Sequence, residues 1–112
     1  ILERTGPEII ETVPGIEAED VPITSNIKVV FNKQIVGVTL TPFSFKVKNE
    51  KGEIDGDIRY NSMKREAIFV PAETLEFGTV YEVFLLPGIQ DLQGNQLSRQ
   101  YTWAFMTSGD PY

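Results

Sequence analysis

The chain has 112 residues, 41% of them hydrophobic and 23% charged, the balance of one folded domain large enough to close a core without disulfides. Ten basic against 16 acidic side chains give a formal charge of −6, which disfavours a nucleic-acid partner through like-charge repulsion. There is no Cys and no His, so thiol nucleophiles, Cys/His zinc sites and Ser–His or Cys–His catalytic arrangements are excluded.

Charge is unevenly spread. Residues 1–20 hold six acids against Arg4, whereas residues 28–65 hold eight bases against four acids, the latter expected on a solvated sheet face. No apolar run nears the roughly 20 residues that span a bilayer, and no signal-peptide pattern opens the chain at Ile1. Direct membrane insertion is therefore not expected, and the sequence is expected to be a segment of a longer protein.

Apolar residues recur with period two almost throughout, broken by turn residues about every 8–12 positions, the pattern of an all-β sandwich. The first strand is predicted over Glu8–Val13, entered through Gly6-Pro7 and stopped by Pro14-Gly15. Ile16–Ser25 is acidic and holds Pro22, which suits a loop or short edge segment. Asn26–Phe31 follows with Ile27, Val29 and Phe31 on one face, and then a connection, Asn32–Pro42. In Phe43-Ser44-Phe45-Lys46-Val47-Lys48 the aromatic and aliphatic side chains are expected inward and Ser44 and the lysines outward.

Lys51-Gly52 turns the chain into Asp57–Tyr60, Ser62–Arg65 forms a hairpin loop, and Glu66–Val70 is closed by Pro71. Val80–Leu86 directs Tyr81, Val83 and Leu85 to one face, and Gln100–Thr107 directs Trp103 and Phe105 inward. About seven strands result. Helical character is confined to one turn near Val38–Thr41 or Ala72–Leu75.

Three ordered patterns carry a family resemblance. The first is Pro7-Glu8-Ile9-Ile10-Glu11-Thr12-Val13-Pro14-Gly15, then Val21-Pro22 and Asn26-Ile27-Lys28-Val29-Val30-Phe31. The second is Phe69-Val70-Pro71-Ala72 with Leu75, Gly78, Thr79 and Tyr81; the third is Asp91-Leu92-Gln93-Gly94-Asn95 followed by Tyr101-Thr102-Trp103-Ala104-Phe105. Together they resemble the bacterial Ig-like domain found in surface-layer and other exported multidomain proteins. The resemblance implies an immunoglobulin-like sandwich of about seven antiparallel strands in two sheets, over residues 6–107, with residues 1–5 and 108–112 as linkers. It further implies a bacterial extracellular or cell-surface location and neighbouring domains of the same chain as partners.

Individual residues take expected roles within that frame. Tyr81 is expected at a sheet-to-sheet corner with its hydroxyl bonded to upstream backbone. Asp91 is expected to cap a turn in which Gly94 and Asn95 tolerate positive φ, with Leu92 and Leu97 pinning the loop to the core. Trp103 and Phe105 are expected to anchor the last strand. Glu17, Glu19, Asp20 and Asp91 offer the oxygen ligands that Ca²⁺ takes, with a solvated acidic loop and a turn cap as the plainer alternatives.

Asp55 and Asp57, two apart on the predicted strand, lack the apolar pocket that acid–base chemistry requires, so no catalytic residue is assigned. Carbohydrate stacking needs aromatics on a wet face, for which Phe77, Phe84 and Tyr112 are the scattered candidates. A non-catalytic structural or spacer module is the expected function. The alternative is a binding module for a glycan, a cell-wall polymer or a protein, with or without calcium.

Overall fold

The computed structural model describes residues 5–109. Two four-stranded antiparallel sheets face each other. The first has the order β1-β2-β6-β5, formed by β1 (Ile9–Val13), β2 (Ile27–Phe31), β6 (Glu66–Pro71) and β5 (Gly56–Asn61). The second has the order β4-β3-β7-β8, formed by β4 (Gly52–Glu53), β3 (Phe45–Asn49), β7 (Val80–Leu85) and β8 (Tyr101–Met106). The chain changes sheet between β2 and β3, between β4 and β5, and between β6 and β7, as an immunoglobulin-like sandwich requires.

Period-two burial explains why these segments hold their register. Ile27, Val29 and Phe31 of β2 and Ala67 and Phe69 of β6 are buried, as are Phe45 and Val47 of β3, Tyr81, Val83 and Leu85 of β7, and Trp103 and Phe105 of β8. A one-residue slip in any of them would turn this set toward water. The sheets meet through aromatic contacts such as Phe45 against Phe69, with ring centroids 5.7 Å apart.

Four local expectations are corrected. Phe43 is 80% exposed, because Thr41–Ser44 forms a turn in which the Ser44 and Phe45 amides both donate to Thr41 O. Ser44 is buried instead, its Oγ donating to Thr39 O at 2.6 Å and accepting from Thr41 N at 2.9 Å. Asp55 lies in the connection between β4 and β5 and not on a strand with Asp57. Leu92 is 66% exposed, so Leu97 alone of the two pins its loop. The sequence also hides β4, whose two residues are too few to show a period. Of the two possible helical turns, the first is a 3-10 turn at Gly37–Thr39 and the second is not helical.

The acidic segment after β1 crosses to the second sheet and runs along the outer edge of β8. Glu17 N donates to Ala104 O at 2.8 Å, Met106 N to Ala18 O at 2.8 Å, Val21 N to Met106 O at 3.1 Å and Ser108 N to Val21 O at 2.9 Å. Glu17 and Asp20 take positive φ, 57° and 54°, where the segment bulges away from the strand. An edge that would otherwise offer a row of open backbone groups is thereby covered.

Strand directions define two poles. The upstream pole carries Thr5–Gly6, the β2–β3 connection, the β5–β6 hairpin loop and the β7–β8 loop. The downstream pole carries the β3–β4 turn, the β6–β7 loop and Ser108–Gly109.

Candidate functional site

Three polar constructions lock the connections between strands. At the upstream pole Asp91, 1% exposed, holds the β7–β8 loop from inside. Its Oδ1 accepts from Gln93 N and Asn95 N, both at 2.9 Å, and its Oδ2 accepts from Asn95 Nδ2 and Lys33 Nζ, both at 3.3 Å. Gly94, with φ 84°, donates to Asp91 O and closes the turn, whereas Asn95, for which the sequence also allows a positive φ, does not take one and serves as a donor to Asp91 instead. Burial pushes the Asp91 carboxyl upward, but hydrogen bonds from Asn95, Lys33 and Gln93 outweigh it and hold the group below its ordinary value.

At the downstream pole Tyr81 is buried and stacked on Phe105, and its Oη accepts from Glu76 N at 2.9 Å. Beneath the same loop, the buried Thr107 Oγ1 donates to Glu76 O at 2.6 Å and accepts from Thr79 N at 2.9 Å. The third construction joins the last strand to the first crossing, where Trp103 Nε1 donates to Pro14 O at 3.0 Å. Thr107 was legible in principle, since it stands in phase with Trp103 and Phe105. Lys33 was not, because nothing local marks a residue that pairs 58 positions away.

The oxygen-bearing candidates are not brought together. Glu17, Glu19 and Asp20 lie along β8 toward the downstream pole, whereas Asp91 is at the upstream pole with both carboxylate oxygens engaged. Among the described residues no three Asp, Glu, His or Cys side chains are grouped to hold a metal ion. Nor do the aromatics form a platform. Phe77 is in the downstream loop, Phe84 lies half-buried on the outer face of β7 beneath Lys48 Nζ at 5.1 Å, and Tyr112 is outside the described residues. Every buried side-chain nitrogen and oxygen among the described residues has a hydrogen-bond partner.

A sandwich with these crossings, a tyrosine-braced corner at the start of β7 and an aspartate-capped β7–β8 loop is matched by the bacterial Ig-like domain family model over residues 3–107. The chain belongs to the bacterial Ig-like domain family. Solved structures with the same fold include domains 1–6 of the surface-layer protein SbsC, 18% identical, with a TM-score of 0.67 over 91% of this chain and 14% of that one. The Ig-like domain therefore spans about a seventh of that structure. The copper resistance protein PcoC from Escherichia coli is 12% identical, with a TM-score of 0.73 over 90% of this chain and 99% of that one. The LD transpeptidase LdtMt1 in complex with imipenem is 15% identical, with a TM-score of 0.64 over 91% of this chain and 40% of that one. No curated protein matches the sequence. At these identities the structural likeness establishes the fold of the Ig-like domain and nothing further.

Proposed function

We propose that this Ig-like domain is a non-catalytic structural module that spaces and docks neighbouring domains of a larger secreted or cell-surface bacterial protein. The observation that carries the proposal is the placement of the two ends of the fold at opposite poles, each fastened to the sandwich. At one, Gly6 packs directly on the backbone of Gln96, and Thr5 O accepts a hydrogen bond from Lys33 Nζ. At the other, Ser108 N donates to Val21 O and Gly78 N donates to Ser108 O. A chain that passes through the long axis and is gripped at both ends transmits direction from one neighbour to the next, which is the property a spacer needs.

The similarity to surface-layer domains supports this role, as does a core whose polar groups serve turns and corners. Copper handling, the role named for PcoC, finds no counterpart in this chain. Its only methionines, Met63 and Met106, are at opposite poles and it has no His or Cys.

The test is a binding screen of the domain against glycans and cell-wall fractions, run with Ca²⁺ and again with EDTA. No saturable binding by the folded domain is expected in either condition. Saturable binding would replace the spacer role with that of a binding module, and its loss in EDTA would assign calcium to the acidic loops.

A further inference from the structure

The margins of the two sheets are finished unequally. β8 is covered by the acidic segment, β4 is two residues long, and β1 is interrupted by a register shift between Ile9 and Glu11. β5 is the regular margin. Gly56–Asn61 pairs with β6 without a break and has no described strand on its other side. Ala72 N donates to Asp55 O at 2.9 Å, which fixes the alternation of that antiparallel ladder. Asp57, Arg59 and Asn61 therefore direct their peptide groups at β6, and Gly56, Ile58 and Tyr60 direct theirs away from it. Among the described residues no backbone group bonds those of Gly56, Ile58 or Tyr60. The side chains alternate as well. Ile58 and Tyr60 are half-buried against the core, whereas Asp57 and Arg59 are exposed on the outer face, 4.0 Å apart.

We propose that β5 adds edge to edge to β5 of a second copy of this chain, antiparallel, about a two-fold axis through Ile58. In that register Ile58 faces its own equivalent and Gly56 faces Tyr60, so the outward peptide groups of each strand meet those of the other in successive hydrogen-bonded pairs. Between them, at the non-hydrogen-bonded positions where side chains lie closest, Asp57 of each copy faces Arg59 of the other. Charges on an edge strand ordinarily deter such pairing, but the two-fold turns these into mutual opposite-charge pairs. The next registers that match outward peptide groups bring Asp57 opposite Asp57 or Arg59 opposite Arg59, so the same side chains select the register. The strand is its own complement, which is why the occupant is a second copy, and an isologous contact closes as a dimer. It lies on a flank and leaves both poles free for neighbouring domains. The pairing and the spacer role fail separately, since a glycan ligand would remove the spacer role without affecting the dimer.

The test is sedimentation velocity of the whole chain over a concentration series reaching about 1 mM, with amide hydrogen exchange measured at both ends of the series. A monomer–dimer equilibrium is expected. The amides of Gly56, Ile58 and Tyr60 should gain protection on dimerisation, while those of Asp57 and Arg59, already directed at β6, should not change. Asp57→Arg or Arg59→Asp alone sets like charges across the two-fold and should weaken the dimer about tenfold or more. The exchange variant, Asp57→Arg with Arg59→Asp, should restore it. An equimolar mixture of the two single variants should do the same, because opposite charges again face one another. Both side chains are exposed, and thermal melts confirm that each variant folds. A chain that stays monomeric throughout, a dimer indifferent to the single reversals, failure of the exchange variant or the mixture to restore it, or protection gained elsewhere than on the outward amides of β5 would each overturn the proposal.

Discussion

Lys33 and Asp91 are 58 residues apart in sequence and meet at 3.3 Å where the β2–β3 and β7–β8 connections close the upstream pole. The aspartate also accepts from two backbone amides of its own turn, so one carboxylate fixes both loops.

Removing it should leave buried donors unmatched. Asp91→Ala is expected to cost about 2–4 kcal/mol in chemical denaturation, and Asp91→Asn less, because one acceptor oxygen survives. The carboxyl is held below its ordinary value in the fold, so the unfolded chain binds the proton more readily. Its contribution is present above the unfolded pKa, about 3.9, and is lost as pH falls through the lower folded value. The wild type should therefore lose stability more steeply than Asp91→Asn below roughly pH 4. Parallel acid titrations of both proteins would contradict the assignment.

The corner at the start of β7 is a shared construction. Tyr81 accepts from Glu76 N, and Thr107 donates to Glu76 O, so β7 and the residue that follows β8 grip one residue of the β6–β7 loop. Tyr81→Phe and Thr107→Val should each cost about 1–3 kcal/mol, the range for leaving a buried backbone group unmatched. Because they hold the two peptide groups that flank the Glu76 Cα, the double variant should depart from additivity by about 0.5 kcal/mol or more. Strict additivity in equilibrium unfolding would mean that the two bonds act independently.

Trp103 and Phe105 stand on the buried face of β8, and Trp103 also reaches Pro14 O. Trp103→Ala and Phe105→Ala should each cost about 3–5 kcal/mol. Trp103→Phe isolates the polar part, retaining most of the ring while abandoning Pro14 O, and should cost about 1–3 kcal/mol. Thermal melts showing a loss below about 1 kcal/mol for both alanine variants would mean that this strand does not carry the core.

Much of this fold was legible because β2, β7 and β8 alternate strictly, and alternation has one physical cause, a sheet with a wet face and a dry one. The same rule failed at Phe43. It stands in phase with Phe45 and Val47, yet the Thr41–Ser44 turn takes it out of the strand before the period applies. The hydroxyl of Ser44 caps that turn, so a polar residue is buried where alternation put it outside. The Asp91 turn and the Tyr81 corner could be anticipated because their partners lie within a few residues. The Lys33–Asp91 pair and the covered edge of β8 arise only when distant segments are brought together.

The grip on the upstream end of the domain depends on a missing side chain. A Cβ built on Gly6 would fall 1.8 Å from Gln96 O and 2.8 Å from its carbonyl carbon, backbone atoms that cannot swing aside. Gly15, at the crossing from β1 to the second sheet, has nothing within 4 Å of the same position and no positive φ. Gly6→Ala must therefore push the first segment off the β7–β8 loop, with an expected cost of about 1–3 kcal/mol or more, as for other overpacked sites. Gly15→Ala meets open space and restricts only the unfolded chain, so it should be neutral or stabilising by up to about 1 kcal/mol. Denaturation midpoints measured side by side separate the two effects, since both substitutions remove the same backbone freedom and only one introduces a contact. Equal midpoints would mean that Gly6 is not pressed against Gln96 in solution. The upstream end would then be a loose tether, and a spacer gripped at only one pole could not set the direction of its neighbour.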